Sequence, residues 1–445
     1  MRKTISIIIG KIFVFIGKLL HRGSSLPGSI ALKLYPNLMH EFKMPEIVIA
    51  VTGSSGKGSI TSMIAEICKK AGYKVAHNSK GSNLSAGITT LLLEHSTVHG
   101  GIKSDIVIAE VDERYCKYVF PCIKPKYVVI SNITRDQPPR QGHFDLVYQE
   151  IKKALTSDMH LILSSDDPML QKFVLEKENP VTYYGIDKNR YSYIVSKFKN
   201  LNFTYCPICH TKLIYDYYHF EEIGDYHCPN CQFKRPLADI TCTDIDYDNK
   251  AITIQNNKKT HIPYQLLYCV YNSLAAYTAT KLLGIKEDDI LTTIDEIAGN
   301  TKNFSIYHYQ DRKVHILNNK NENSSTFNQS ILYVDRMKGE KTIVIGWKEI
   351  SRRYAFDDLS WLYDIDFEIL AKHDIHSVIC VGLHCYDIAT RVKYANIEEK
   401  KIKTFDSLEE AVPYIKKRTK GDIYAILNFD YVVPFQELMN GSENE

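Results

Sequence analysis

Between Glu46 and Ile186 short, uninterrupted β-branched runs alternate with stretches of helical pattern, and that alternation limits the fold more than any other feature of the chain. The runs are IVIAVTG, KVAHN, DIVIAEV, YVVISNI, LILSSDD and VTYYGI, and the helical patterns between them include Lys57 to Ala71 and Ser85 to Glu94. Apolar runs this short and continuous suit strands buried on both faces, because a sheet with one wet face alternates apolar with polar residues. Strands joined through helices lie parallel, so the expected fold is α/β, a doubly wound and mostly parallel sheet. A second alternation begins at Lys313 with VHILNN, TIVIGW, SVICVG, IKTFD and DIYAILNF, and predicts a smaller Rossmann-like unit closed by a helix through Phe435 to Met439.

The chain has 445 residues, about three times the usual single-domain length, which accommodates both units and an insert. The expected organisation is an N-terminal amphipathic helical segment over 1–45, a nucleotide-binding domain over 46–300 interrupted by an insert over 204–236, and a C-terminal Rossmann-like domain over 301–440. The insert is placed where the alternation stops near Lys188; strand and helix patterns resume with IDYDNKAITIQ, Tyr264 to Leu283 and IKEDDILTTIDEIAG. With 44% hydrophobic and 24% charged residues, the composition is that of a folded protein and not of a disordered one. A net charge of +3 with no concentrated basic block gives no reason to expect nucleic acid as a partner.

Met1 to Leu20 opens with Arg2 and Lys3 and continues as ISIIIGKIFVFIGKLL, superficially a signal peptide. Lys11 and Lys18 interrupt the run, which leaves it short of the roughly 18 apolar residues of a spanning helix, and no small-residue cleavage site follows. The expectation is an amphipathic helix, either packed on the body of the protein or resting on a membrane surface.

Val51-Thr52-Gly53-Ser54-Ser55-Gly56-Lys57-Gly58-Ser59 follows a strand and opens a helix, the setting of a phosphate-binding loop. Glycines let backbone amides turn toward an anion, and the helix N-terminus adds partial positive charge. Lys57 would neutralise the β and γ phosphates, and Ser59 would offer its hydroxyl to magnesium. Valine stands at position 51 where a full-length P-loop has glycine, so the match is to a shorter Gly-x-x-Gly-Lys form; a Gly/Ser-rich turn with a surface lysine is the competing reading. Glu110, in Ala109-Glu110-Val111-Asp112-Glu113, falls at the carboxyl end of a strand, where ligands bind in open α/β sheets, and would complete the magnesium site opposite Ser59. Asp112 and Glu113 read equally as site carboxylates or as a solvated helix start.

Seven of the eleven cysteines lie singly in apolar or mixed surroundings, as buried thiols do in a reducing compartment such as the cytoplasm. The other four form two knuckles, Cys206-Pro-Ile-Cys209 and Cys228-Pro-Asn-Cys231, separated by 18 residues, the spacing of a structural zinc site. Four thiolates leave no open coordination position, so the expected Zn2+ stabilises and does not catalyse. Neither knuckle opens a helix after a strand, as a thioredoxin-like dithiol would. His210, His219 and His227 are unnecessary as ligands and read as surface residues.

The loop VTGSSGKGS, the segment HNSKGSNLSAGITT (His77 to Thr90), IAEVDE, SNITRDQ (Ser131 to Gln137), LSSDDP (Leu163 to Pro168), the four-cysteine insert and VYNSLAAYTATKLLGI follow in this order. From the Leu-Pro-Gly near residue 27 to its C-terminus the chain resembles the MurT-type subunits of the Mur ligase family. That resemblance implies a Mur ligase middle domain with an inserted zinc ribbon, followed by a Rossmann-like domain that contacts a glutaminase. It implies an ATP-dependent carbon–nitrogen ligase of peptidoglycan synthesis, with ATP and Mg2+. ATP would phosphorylate the α-carboxyl of D-glutamate in lipid II, and ammonia from a GatD-like glutaminase, the other half of a heterodimer, would then leave D-isoglutamine. The place implied is the cytoplasm, at the inner face of the membrane. Carried over residue by residue, Gly53, Ser54, Ser55, Gly56, Lys57, Gly58, Ser59 and Asn272 bind nucleotide, while Ser59 and Glu110 hold magnesium, Glu110 counting as catalytic. Asp358, in FDDLSWLYD, matches the catalytic aspartate that reaches into the partner and orients its histidine by fixing a tautomer. By its local sequence alone Asp358 is equally a helix N-terminal carboxylate.

The chain departs from the family pattern at several places. Ser54-Ser55 stand for Thr-Asn, Gly58 for threonine, and Pro139 and His143 for Asp and Glu. Lys302-Asn303 stand for the Gly-Arg that opens the C-terminal domain, Lys320 to Ser324 for Lys-Asn-Pro-x-Gly, and Tyr354 to Asp357 for a stretch containing Asp-Gly-Arg. Gly-Lys-Gly-Ser occurs in folylpolyglutamate synthases. Two further readings therefore stand beside the amidating subunit: another Mur-type amide ligase acting on a peptide or folate-like acceptor, and a catalytically degenerate scaffold.

Overall fold

The computed structural model describes residues 2–20, 24–79, 81–135, 142–176, 178–300, 305–318, 323–347, 358–372 and 374–441. The departures at 139, 302–303, 320–322 and 354–357 lie outside the described residues.

The strands, in chain order, are β1 (Ile47–Thr52), β2 (Val75–His77), β3 (Ile106–Glu110), β4 (Tyr127–Ile130), β5 (His160–Ser164), β6 (Val181–Ile186), β7 (Ile214–Phe220), β8 (Ile223–His227), β9 (Ile240–Asp246), β10 (Ala251–Ile254) and β11 (Lys258–His261). Nine of them form one sheet in the order β11-β10-β9-β6-β5-β4-β1-β3-β2. Neighbours from β2 to β9 are parallel, and β9, β10 and β11 continue as an antiparallel edge.

Along β1 successive side chains enter different cores, as the period of two requires. Val48 and Ala50 join one apolar cluster, with the helices Ser85–His95 and Cys116–Ile123. Ile49 and Val51 join another, with the helices Lys57–Lys70 and Leu267–Leu282. Both faces of the sheet are therefore dry, which is the physical content of the uninterrupted apolar runs. The chain turns back past β1, flanked by β3 and β4, so the crevice at its carboxyl end is the topological switch point.

The insert leaves the sheet after Ile186 and rejoins it at Ile240; its hairpin, β7 with β8, folds back onto the end of β5. Asp166 is the socket: it pairs with Arg235 Nε at 2.8 Å, accepts from the Tyr271 hydroxyl at 2.7 Å and from the Ile186 amide at 2.8 Å, and its carbonyl accepts from the Gly224 amide at 3.0 Å. This arrangement carries the hairpin tip, Glu221-Glu222, into the crevice.

The remaining strands are β12 (Ser305–Tyr309), β13 (Arg312–Ile316), β14 (Lys341–Gly346), β15 (Ile375–Val381), β16 (Ile402–Phe405) and β17 (Asp422–Leu427), in the order β12-β13-β17-β14-β15-β16. All pairs are parallel except the β12–β13 hairpin, an edge the sequence reading did not include. The two sheets are tied through Arg135–Asp364 at 2.6 Å, Lys197–Asp335 at 2.6 Å, and the Asp366 carboxylate, which accepts from the Lys199 amide at 3.2 Å.

At the N-terminus, the helix Arg2–Leu19 buries Ser6, Ile7, Gly10 and Val14 against the body. Gly28 of the next helix, Leu26–Leu34, packs so closely on Ser85–His95 that a Cβ there would lie 2.8 Å from the Thr90 amide nitrogen. Among the described residues no helix is long and apolar enough to cross a membrane.

Candidate functional site

The turn after β1 needs glycine twice. Gly53 has φ 124° and Gly56 φ 82°, where side chains of L residues are strained. Space is closed as well: a Cβ on Gly53 would meet the Asn132 carbonyl oxygen at 2.7 Å, and one on Gly56 would meet Asn272 Oδ1 at 2.6 Å. The end of β4 clamps the turn. The Ser54 amide donates to the Asn132 carbonyl at 2.9 Å, and the Ser55 amide to Asn132 Oδ1 at 3.0 Å. Ser131 Oγ donates to the Ser55 carbonyl at 2.6 Å, and the Thr134 amide to Ser54 Oγ at 2.9 Å. The helix Lys57–Lys70 starts there with no side chain capping it, so its first amides face the crevice as an anion site requires.

Opposite stand three buried carboxylates, Glu110, Asp112 and Glu113. β1 and β3 pair Val51 with Glu110, which brings Glu110 beside the loop; a Cβ on Gly58 would lie 3.2 Å from Glu110 Oε2. Glu110 is steered from the segment after β2: Asn83 Nδ2 donates to its Oε1 at 3.0 Å, and its amide donates to Asn78 Oδ1 at 2.8 Å. Lys57 Nζ lies 3.1 Å from Glu113 Oε2 and also donates to the Gly53 carbonyl. Burial works against the Lys57 charge, but Glu113, with Asp112 and Glu110 behind it, outweighs burial and holds the ammonium above the ordinary lysine range. The reading of Asp112 and Glu113 as a solvated helix start is thus corrected: both are buried, 7% and 3% exposed, and Glu113 is bound to the loop lysine. One ammonium among three carboxylates leaves the site acidic, so a phosphate chain entering it needs a divalent cation as well.

Loop and carboxylates line a cavity of about 750 Å³, large enough for a nucleotide. Ser59 and Asn272 line it too, Asn272 being 5% exposed on the helix Leu267–Leu282. The far wall comes from the C-terminal unit, with Asn323, Ser325, Thr326 and Gln329, and from the hairpin tip. Glu221 accepts from Asn328 Nδ2 at 2.8 Å and from Ser325 Oγ at 3.1 Å. The cavity is therefore an interdomain cleft. His143, one of the departures, caps the helix Phe144–Lys152 by accepting from the Asp145 amide at 3.2 Å.

The four knuckle cysteines converge, their sulfurs all within 4.8 Å of one another. Cys206 and Cys231 are 3.4 Å apart, as are Cys209 and Cys228, too far for disulfides and close enough to share one ion. The Ile208 and Asn230 amides each donate to a knuckle sulfur at 3.4 Å, an arrangement that suits thiolates. The donor set fits a closed tetrahedral metal site. One expectation nearby fails: His219 is not a surface residue but 4% exposed, with Nε2 3.0 Å from the Ile186 carbonyl and Nδ1 3.2 Å from Ser192 Oγ.

Asp358 stands apart from the cleft residues; its Oδ1 accepts from the Ser360 amide at 2.8 Å at the start of the turn Ser360–Asp364, the helix-start role open to it from sequence. Asn78, Asn83, Ser131, Asn132 and Thr134 had no individual role in the sequence reading, although they lie inside the segments HNSKGSN and SNIT that carried the resemblance.

Comparison with known proteins agrees with this layout. The profile of the Mur ligase middle domain matches residues 51–230, and that of the MurT ligase C-terminal domain matches residues 321–431. The subunit MurT of the glutamine-hydrolysing lipid II isoglutaminyl synthase of Staphylococcus aureus (strain COL) is 28% identical over 95% of this chain and 94% of its own length. Its counterpart from Streptococcus pneumoniae is 26% identical over 99% and 97%. Among solved structures, a pseudomurein peptide ligase type C from Methanothermus fervidus superposes with a TM-score of 0.69 at 20% identity, covering 91% of this chain and 80% of that one. MurF of Thermotoga maritima, solved in complex with ADP, does so with a TM-score of 0.55 at 17% identity, covering 93% and 82%. A glycine loop at the switch point, a carboxylate set facing it, a cysteine-knuckle insert and full-length likeness to MurT subunits together place this chain in the Mur ligase family, as a MurT-type member.

Proposed function

We propose that the chain is the ligase subunit of a lipid II isoglutaminyl synthase, working in the cytoplasm with a GatD-like glutaminase. In this reading an oxygen of the D-glutamate α-carboxylate attacks the γ-phosphorus of ATP, and ADP leaves. Ammonia from the partner then attacks the acyl carbon; the carbon–oxygen bond to phosphate breaks, phosphate takes the proton lost by nitrogen, and the amide remains. The observation that carries the reading is the single cleft bounded by loop, carboxylates and C-terminal wall, in a chain whose MurT relatives match it from end to end.

Each residue then has a task. The amides of Gly53 to Gly58 cradle phosphate, and Lys57 exchanges Glu113 for the β and γ phosphates. Asn272, packed on Gly56, holds the loop against the nucleotide. Ser59 and Glu110 would hold Mg2+, which would spread the charge of the transferring group. Cys206, Cys209, Cys228 and Cys231 would hold Zn2+, which would keep the insert in shape, and Asp358 would extend to the glutaminase histidine.

The test is phosphate release by the purified chain with its glutaminase, Mg2+, glutamine and lipid II. Lipid-II-dependent release that disappears in Lys57→Ala supports the amidating ligase. Tight complex formation without any turnover favours the scaffold, and turnover that needs an added amino acid favours the other amide ligases.

A further inference from the structure

The outward face of the N-terminal helices is apolar where a soluble surface helix carries charge. Ile5, Ile8, Ile12, Phe15, Ile16 and Leu19, spaced three and four apart, are 40–66% exposed. The side turned inward is the one with the small residues Ser6 and Gly10. Leu26 and Leu34 of the second helix, 57% and 49% exposed, add further apolar surface on the neighbouring element. A large exposed apolar surface of this kind marks an interaction site.

Charge identifies the occupant. The first acidic residue of the chain is Glu41, and before it stand Arg2, Lys3, Lys11, Lys18, Arg22 and Lys33. Six positive charges, against +3 for the whole chain, leave the remainder net negative. The acids packed nearest are already matched, Glu41 by Lys3 at 3.1 Å and Glu94 by Lys18 at 3.5 Å. An apolar stripe on helices that themselves carry cations and no acid is the pattern of a helix that lies in a membrane interface.

We propose that these two helices dock on an anionic bilayer surface, with the Ile5 to Leu19 stripe at the acyl boundary and Arg2, Lys18 and Lys33 among the phosphates. The docked layer is coupled to the cleft through one helix, Ser85–His95. Lys11 Nζ donates to the Leu93 carbonyl at 2.6 Å and the Gly28 amide to Thr90 Oγ1 at 2.9 Å, while Asn83, two residues before that helix, holds Glu110. The apolar face and the cleft are thus linked through a single helix, the N-terminal helices bonding to its later turns and Asn83 lying just before its start. If the acceptor is lipid-linked, which rests on the function proposed above, docking brings the site to its substrate.

The measurement is co-sedimentation of the full chain with vesicles of phosphatidylglycerol and phosphatidylcholine, compared with phosphatidylcholine alone. Binding should appear with the anionic vesicles and weaken at about 0.5 M salt. The double variant Ile12→Asp/Phe15→Asp should bind at least about tenfold more weakly with an unchanged circular dichroism spectrum, because both side chains point outward. A wild-type chain that stays in the supernatant, or a variant that binds as well as wild type, overturns the proposal. So does a wild-type dimer or glutaminase complex that the same substitutions dissociate without any vesicle binding. In a second arm, the variant should turn over vesicle-embedded lipid II more slowly but a water-soluble stem-peptide analogue at the wild-type rate. If wild type turns over neither acceptor, the proposed function fails while the sedimentation result stands by itself.

Discussion

Two sets of buried carboxyls face the same cleft and are met by opposite kinds of partner. At the loop end Glu113 lies 3.1 Å from the Lys57 ammonium, and that lysine is held firmly charged by the acids around it. At the hairpin end Glu221 accepts from the neutral donors Asn328 and Ser325, and burial pushes its carboxyl, like that of Asp167, up to about 7. Burial raises Glu113 as it raises Glu221; what differs is the partner, an ammonium that pulls against burial at one end and neutral donors at the other. The first end sets a buried ammonium among acids beside the glycine loop, and the second is a joint where the insert meets the C-terminal domain.

The largest effect should come from removing the one cation of the loop end. Lys57→Ala is expected to lower lipid-II-dependent phosphate release by about 100- to 1000-fold, the range for losing a preorganised group that stabilises transferring charge. A loss below tenfold would mean the loop end does not hold the phosphates. The hairpin end is expected to depend instead on the four-cysteine set behind it. Cys228→Ser, or chelation of the wild type, should release bound Zn2+ and destabilise the insert by several kcal/mol, read as an early thermal transition and new proteolysis within 187–239. Full resistance to both treatments would detach the hairpin from the cysteine set.

These two ends were not equally legible in the sequence. The strands that lead to the loop are buried on both faces, so their uninterrupted apolar runs identify them, and the turn after β1 declares itself because Gly53 and Gly56 both sit at positive φ. The cysteine knuckles are legible through spacing alone. The hairpin end is not. Glu221 and Glu222 sit in a Tyr-rich stretch without periodicity, and only the docking of Asp166 on Arg235 and Gly224 brings them into the cleft. His219 was misplaced for the same reason: its partners, Ser192 and Ile186, come from a distant segment. Asn132 and Asn83 lie 77 and 27 residues from the groups they hold, a pairing no local pattern announces.

Asn83 permits a finer test of the loop end. Its side-chain amide donates to Glu110, so Asn83→Ala should leave the fold intact and weaken apparent Mg2+ affinity by about 10- to 100-fold, as loss of a ligand-orienting bond does. Titrating Mg2+ into the ATPase assay measures this. An unchanged affinity would place the ion away from Glu110.

The smallest effect concerns the hairpin end and has a defined sign. A carboxyl at about 7 when folded, against 4.5 when free, keeps its proton in the native state over a range where the unfolded chain has already lost its own. That contribution to stability is whole below about 4.5, shrinks as pH rises, and is gone above about 7. It amounts to about 3 kcal/mol at most for Glu221, since each unit of difference is about 1.4 kcal/mol. Thermal denaturation between these two pH values should therefore show stability falling with pH, and Glu221→Gln should flatten the slope, because glutamine keeps an oxygen for Asn328 and carries no titrating proton. Asp167 and Glu222, shifted in the same direction by their own burial, leave a residual slope in that variant. If instead the wild type gains stability across this window and Glu221→Gln does not alter the trend, then Glu221 is ionised in the folded chain, a cation faces it, and the two ends of the cleft are alike.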